Sequence, residues 1–346
     1  MPSVTIDAGA LALPSAGSTP EELHNFTKRV MDCRNLLSMN GWLKLYTNGK
    51  EAMHLDGLAP DLQRLKTLFR AAHVEHVSPN DLVRVVKMLL ERCHRFEESF
   101  DIDVLAEEIA INPDILSPPI GASGKLSLER CLVLLAVLGR YCDKDFADHF
   151  LVVRHTCGNP TIVQARIKCI DHKPENFSEV PLNLKSIRGK VLVYDNLTEF
   201  IKCVDEAELL LKADGRSEFV MHAIRIAVFK LQIARGKAPQ WGKVPENRIH
   251  KDFTNRLQSL GPTPVLARSV LRAIVETLHG SNMRDTHALR TSSAGNAPQR
   301  TRSTDGATAW RRDIDRDHHL HYWKLKSGIV ELASVSDPHD DFDIPE

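Results

Sequence analysis

Cysteine is scarce in this chain and follows no pairing pattern. Seven cysteines occur among 346 residues, no two of them in a C-x-x-C spacing and none after Cys203. An odd number without motif spacing argues against a disulfide framework and is typical of reduced thiols. We therefore expect a cytoplasmic protein that is stabilised by an ordinary apolar core.

A long hydrophobic run is also lacking. The most apolar stretch, CLVLLAVLG from Cys131, is too short to span a bilayer, and Arg140 follows it at once. The first eighteen residues carry no basic region ahead of an apolar run, which a signal peptide would need. These absences predict no membrane partner, and residues 1–18 are expected to form a flexible tail.

Neither sign of charge is in excess over the whole chain. The 45 Lys and Arg residues balance 45 Asp and Glu residues, so composition predicts no general attraction to nucleic acid. Residues 247–330, however, carry 14 basic and 7 acidic side chains, a patch suited to a polyanion. Residues 331–346 carry six acids and no Lys or Arg. We expect this acidic segment to shield the basic patch or to compete for it.

Helix signals are abundant in the first half of the chain. Thr19 is followed by Pro20 and, three positions after the cap, by Glu22, which together form a capping box. Ser78 and Pro79 repeat the start signal. Further helices are predicted at APDLQRLKTLFRAAHV, DIDVLAEEIAI and SLERCLVLLAVLGRYC.

The pattern changes to alternating β-branched residues near residue 148. The segments HFLVVRHT and TIVQARIKCI, separated by CGNP, predict a β-hairpin. We therefore expect a mostly helical domain at residues 19–170 that ends in this hairpin. An αβ middle segment is expected at residues 186–240, with a strand at GKVLVYDN followed by helices.

The last hundred residues give a compact series of elements. NRIHKDF predicts a short strand, TNRLQSL a helix, and TPVLARSVLRAIVETLHG a longer helix capped by Thr263 and ended by Gly280. Three strands follow at TAWRRDI, HHLHYWKL and IVELASV, joined by linkers of hairpin length. The predicted fold class is therefore α+β, with a C-terminal β-α-α-β-β-β domain at residues 247–346 and a small antiparallel sheet.

This domain resembles the RelE/ParE superfamily of bacterial toxins, and within it the YoeB-like branch. The resemblance covers about 100 residues and rests on the segments WRRDI (310–314), DRD (315–317), HHLHY (318–322), IVELASV (329–335) and on His339. The upstream HALR, residues 287–290, resembles the loop that precedes the first of these strands in the family.

The resemblance implies a small sheet whose concave face binds RNA. Many members cleave mRNA in the ribosomal decoding site and use neither a metal nor a cofactor. The ribose 2′-hydroxyl attacks the adjacent phosphate while a base, an acid and cationic side chains assist. The resemblance thus implies an endoribonuclease toxin or defence effector, with RNA, the ribosome, and an antitoxin or defence-system protein as partners. The N-terminal region is expected to regulate or target it.

Several positions depart from the family pattern. His319 stands where YoeB-like relatives carry an arginine, and the usual upstream glutamate has no counterpart, since His287 lies nearest. The terminal His-Tyr pair is replaced by His339 and Asp340. Because imidazoles transfer protons near neutral pH, two outcomes are expected from these departures: either the acid and base roles have passed to histidines, or the activity has been lost. The residues predicted to act in catalysis are His319, His321, His339, Arg311 and Arg312. The residues predicted to hold RNA are His287, Arg290, Arg300, Arg302, Arg316 and Tyr322.

Other interpretations of these residues remain open. Arg311 and Arg312 point to opposite faces of a strand, so at most one faces the cleft, and the other is expected to pair with a nearby acid. His319 and His321 share a face, where they are structural, catalytic, or, with His339 as a third ligand, part of a zinc-dependent hydrolase. A non-enzymatic binding module is a further alternative, either a ParE-type gyrase poison or a scaffold subunit.

Overall fold

The computed structural model describes residues 2–39, 41–116, 120–142, 149–156, 158–172, 177–294, 296–337 and 343–346. The chain is a mixed α+β protein with two sheets. It divides into two compact units, Met1–Phe200 and Ile201–Glu346. This boundary lies inside the segment expected to be an αβ middle region, residues 186–240. The strand of that segment belongs to the first unit and its later helices to the second.

The first unit is built around a seven-stranded sheet in the order β3-β2-β1-β5-β7-β6-β4. The first five strands of that order run parallel, and β6 and β4 are antiparallel to their neighbours. The elements are β1 (Ser3–Asp7), α1 (Pro20–Leu37), β2 (Lys44–Asn48), α2 (Lys50–Leu55), α3 (Leu62–Ala71), α4 (Pro79–Arg92), β3 (His94–Arg95), β4 (Ile102–Asn112), α5 (Ala122–Tyr141), β5 (His149–Val152), β6 (Thr161–His172), β7 (Ser186–Tyr194) and, across the boundary, α6 (Leu197–Cys203).

The prediction of a flexible tail at residues 1–18 is wrong for Ser3–Asp7, because these residues form strand β1. All five residues of β1 are buried, and the strand pairs with β2 on one side and β5 on the other. Its partners lie about 40 and 145 residues away in sequence, at Lys44 and His149. Local patterning misses such a strand because parallel pairing is decided by distant partners.

The helix predicted at DIDVLAEEIAI is also wrong, because this segment forms β4. Ile102 and Val104 point toward the core, whereas Asp103 and Leu105 point outward, which is the period of two that a strand requires. Long pairing with β6 stabilises this conformation over the helix that the Ala, Leu and Glu content favours.

The predicted hairpin between HFLVVRHT and TIVQARIKCI does not form. Both segments are strands, but β7 lies between β5 and β6 in the sheet. All four residues of β5 are buried. Such burial is expected of a central strand that is covered on both faces of its sheet, whereas an edge strand of a hairpin would be partly exposed. The first unit is therefore a parallel-centred α/β unit and not the mostly helical domain expected at residues 19–170.

Helix starts were predicted more accurately. The Thr19 hydroxyl accepts the Glu22 amide, and Glu22 accepts the Thr19 amide, so the capping box at α1 is confirmed. The Ser78 cap of α4 is confirmed as well. None of the helices in the described parts of the chain combines the length and apolar content needed to cross a membrane.

The second unit contains a five-stranded sheet in the order β8-β12-β11-β10-β9. The predicted meander of β10, β11 and β12 is antiparallel, as expected, while β8 pairs parallel with β12. A short strand, β9, was not predicted. The elements are α7 (Glu206–Leu211), α8 (Ser217–Ala234), β8 (Asn247–Ile249), α9 (Phe253–Ser259), α10 (Pro264–Leu278), β9 (Thr286–Ala288), β10 (Thr308–Asp313), β11 (His319–Lys324) and β12 (Val330–Ser336).

Candidate functional site

Ionisable side chains gather on one face of the second sheet. Directly paired residues of adjacent antiparallel strands share a face. His287 pairs with Arg311, Arg311 pairs with His321, and Asp313 pairs with His319. These five residues therefore lie on one surface, which we call the histidine face. The prediction that His319 and His321 share a face is confirmed.

Asp313 is the centre of this surface. Its Oδ1 atom lies 3.0 Å from Nδ1 of His319 and 3.7 Å from Nε of Arg311. Its Oδ2 atom lies 3.8 Å from Nε2 of His287. One carboxylate thus has two imidazoles and a guanidinium around it. The His287 and Asp313 side chains are 52% and 39% exposed, so this edge of the face is open to a ligand.

His321 occupies the interior of the same face. It has no exposed surface, and its Nε2 atom lies 3.3 Å from the Ser336 hydroxyl. Ser334, which pairs with His321 across the strands, is equally buried. The face therefore has an open rim around Asp313 and a closed interior around His321. In this arrangement His321 is out of reach of a large substrate.

Arg312 does not fit the catalytic role predicted for it. Its side chain points to the opposite face and is 1% exposed. The guanidinium lies 2.6 Å from Glu276 on α10 and donates to the backbone carbonyls of Ser281 and Asn282, at 3.1 and 2.7 Å. The expectation that only one of Arg311 and Arg312 faces the cleft holds, and the partner of Arg312 is a helix residue that strand patterning cannot reveal.

Arg302 is likewise unsuited to RNA. It donates to Glu331 and Asp305 in a buried network, and its guanidinium lies 5.1 Å from the Trp323 ring centre. Hydrogen bonds to Asp305 and then Glu331 raise the pKa of Arg302, and the bond from Arg302 lowers the pKa of Asp305 to about 2. Because Arg302 is bonded to two carboxylates, it links its loop to β12 and has a structural role.

Tyr322 is buried on the face opposite His321, and it is therefore not positioned to stack on bases as predicted. Burial raises the pKa of its hydroxyl to about 12. Trp323 is fully buried and donates its indole N–H to the Pro345 carbonyl at 2.7 Å, so it too packs in the core.

The remaining predicted RNA contacts lie in loops. Arg290 and Arg316 are exposed, and Arg300 is partly exposed. Arg290 donates to the Ala297 carbonyl at 2.8 Å, which fixes its loop. Arg316 lies in the turn between β10 and β11, next to the Asp313 end of the face. His339 lies outside the described residues.

Sequence reasoning underrated Asp313. A signal existed, because Asp313 is two residues from Arg311 on a strand and must share its face. The expectation that an arginine of this strand pairs with a nearby acid was correct. The position of Asp313 between His287 and His319, however, depends on the register of β9, β10 and β11. The Arg312–Glu276 pair had no sequence signal, because its members are 36 residues apart.

Within the described ranges, no three His, Cys, Asp or Glu side chains are grouped so that they can hold a metal ion. No protein-family model, curated protein or solved structure matches the chain. The histidine face is therefore judged on its own chemistry. That chemistry is a carboxylate with two nearby imidazoles for proton transfer and a guanidinium for an anion.

Proposed function

We propose that the second unit binds RNA on the histidine face and cleaves it as a metal-independent endoribonuclease. The observation that carries this proposal is the position of Asp313 within 3.8 Å of His319, His287 and Arg311. From residue 247 onward, the β-α-α-β-β-β order supports a RelE/ParE-like layout, interrupted by β9. The biological role we propose is that of a toxin or defence effector acting on mRNA, at the ribosome, with the first unit regulating or targeting it.

The proposed reaction uses side chains around Asp313, of which His287 is 52% exposed, Arg311 28% and His319 12%. Arg311 holds the phosphate. His319 takes the proton of the ribose 2′-hydroxyl, whose oxygen bonds to phosphorus. The bond from phosphorus to the 5′-oxygen then breaks, and His287 donates a proton to that oxygen. Asp313 stabilises the imidazolium that forms on His319. The products are a 2′,3′-cyclic phosphate and a 5′-hydroxyl.

The test is cleavage of a labelled RNA by the full chain in EDTA, with and without ribosomes. Replacing His319 or His287 by glutamine should lower the cleavage rate by about 10²-fold or more, because each removes a proton-transfer group. His318→Gln is the matched control. His318 is a neighbouring histidine that is held by Asp315 in the turn, 2.9 Å from its carboxylate. Its loss should leave the rate unchanged.

Three outcomes would change the proposal. RNA that stays intact even with ribosomes would remove the cleavage reaction. RNA that is bound but not cut would favour the non-enzymatic module, whether a ParE-type poison or a scaffold. Cleavage that stops in EDTA and returns with zinc would favour the hydrolase in which His339 completes a metal site. A substrate with 2′-deoxyribose at the cut position should resist cleavage only under the mechanism proposed here.

A further inference from the structure

A short segment after the last strand is docked on the second unit beside Trp323. Ile344 and Pro345 are buried, whereas Asp343 and Glu346 are exposed. The Pro345 carbonyl accepts the indole N–H of Trp323 at 2.7 Å. We call residues Asp343–Glu346 the docked segment. Its two apolar residues point into the second unit and its two acids point outward.

The docked segment packs into an apolar cluster of the second unit. Ile344 is 3% exposed, and it packs in a cluster whose other members are Leu289, Ala307, Ala309, Trp323 and Ala333. Trp323 is two residues from His321 on β11, so their side chains share a face roughly 7 Å apart along the strand. The segment therefore lies on the same side of the sheet as the histidine face, at the end of β11 that is farther from Asp313.

The interior of the site is closed in this arrangement. His321 and Ser334 have no exposed surface, and Ser336 is 3% exposed. An RNA strand that extends from the open rim at Asp313 along β11 would meet this closed interior and then the docked segment at Trp323. A long polyanion and the docked segment thus require overlapping parts of one face.

The acidic charge of this part of the chain favours competition with RNA over simple coverage of an apolar surface. Residues 337–346 contain five acids and no Lys or Arg, and they follow a region with twice as many basic as acidic residues. Within the docked segment, the Asp343 carboxylate lies 2.8 Å from Arg256 on α9. A carboxylate on a basic surface is a chemical counterpart of a phosphate, since both take charge-assisted bonds from arginine.

We infer that the docked segment is an intramolecular competitor of RNA and restrains the activity proposed above, on which this inference rests. Its described contacts are the hydrogen bond from Trp323, a hydrogen bond and a largely exposed ion pair with Arg256, and two apolar side chains. These contacts hold the docked segment in place when no RNA is bound. A polyanion that makes several phosphate contacts displaces it.

The experiment compares RNA binding by three forms of the protein, measured by anisotropy of a labelled single-stranded RNA. The forms are the full chain, a chain ending at Asp337, and the full chain with Ile344→Asp. The truncated chain and the Ile344→Asp variant should each bind RNA at least tenfold more tightly. Ile344→Asp keeps the length of the chain, so it gives an answer even if the truncated chain folds poorly.

A peptide completes the test. The synthetic peptide DPHDDFDIPE, added to the truncated chain, should return RNA affinity to that of the full chain. The same peptide with Ile344→Asp should not, because its charge is no lower but its apolar anchor is lost. Equal RNA affinity in all three forms would overturn this inference alone. RNA binding by none of them would overturn the proposed function, and the inference with it.

Discussion

Each of the two sheets places a histidine among polar side chains, but the two imidazoles have opposite surroundings. In the first unit, the ring nitrogens of His149 lie 2.6 and 2.9 Å from the hydroxyls of Ser3 and Thr5. In the second unit, His319 lies 3.0 Å from the carboxylate of Asp313. Hydroxyls satisfy an uncharged imidazole, whereas a carboxylate stabilises a charged one.

Burial completes the contrast. His149 is 5% exposed, and burial lowers its pKa to about 3. Nearby, burial raises the pKa of Asp7 to about 7, although bonds from Asn48 and Gly9 oppose the shift. His149 is therefore uncharged near neutral pH and, like Asp7, it is buried, which fits a role in folding. The group around Asp313 combines a carboxylate, a guanidinium and two imidazoles and reaches the surface at Asp313 and His287, which fits a role in binding. A histidine in a sheet thus becomes a candidate for function only when its partner is charged and its surroundings are accessible.

The largest expected effect concerns His149 and acid. An unfolded histidine takes a proton below pH 6.5, while folded His149 does so only near pH 3. The contribution of His149 to the free energy of unfolding is therefore fully present above pH 6.5 and is lost as the pH drops toward 3. The total loss is on the order of 5 kcal/mol, with about 2 kcal/mol lost by pH 5. Urea unfolding of the wild type and His149→Gln at pH 7 and pH 5 measures it, because the variant lacks this dependence.

The control for His149 is His155→Gln. His155 is an exposed histidine of the same unit, 73% accessible at its side chain. That variant should keep the pH dependence of the wild type. Identical pH dependence in the wild type and in His149→Gln would mean that the buried imidazole is not the uncharged structural group described here.

A smaller effect of opposite sign is expected from Asp7. The unfolded carboxyl loses its proton above pH 3.8, whereas the folded one keeps it to about pH 7. Stability from this residue therefore falls as the pH rises from about 4 to 7, by on the order of 4 kcal/mol in total. Asp7→Asn should remove the loss of about 2 kcal/mol between pH 5 and pH 7, beyond a constant cost from one weakened hydrogen bond.

Asp103→Asn, at an exposed position of β4 in the same sheet, is the matched control for Asp7. Its unfolding curves should follow the wild type at both values of pH. If Asp7→Asn also follows the wild type, Asp7 is ionised in the folded protein. The buried polar side chains of the first sheet would then include a carboxylate charge, and their contrast with the group around Asp313 would no longer hold.

Local signals in the sequence were sufficient for much of the second unit. Thr263 caps α10 as expected, because a cap depends on residues within one turn. The strands of the meander follow from alternation and hairpin-length linkers, and the shared face of His319 and His321 follows from their spacing. The sidedness of Arg311 and Arg312 follows from the same period of two.

The failures involve partners that are distant in sequence. β1 was missed because it is stabilised by strands about 40 and 145 residues away. Arg312 and Arg302 carried the charge expected of RNA ligands, but Glu276 and Glu331 bury them in ion pairs. Composition reports that a cation is present. Only the packing decides whether that cation faces a neighbouring acid or solvent, and two of the six arginines predicted at the site, Arg302 and Arg312, face acids.

The smallest expected effect separates the two ends of β11. Arg316 is exposed in the turn beside Asp313, and Lys326 is exposed in the turn at the opposite end of the same strand. If RNA enters at the open rim, Arg316→Ala should weaken RNA binding a few-fold. It should also reduce the slope of log affinity against log salt by about 0.7, the value for one phosphate contact on a single strand. Lys326→Ala should change neither quantity. Equal losses in both variants would show that RNA is attracted by the general charge of the second unit, and the charged cluster around Asp313 would lose its distinction from the rest of the surface.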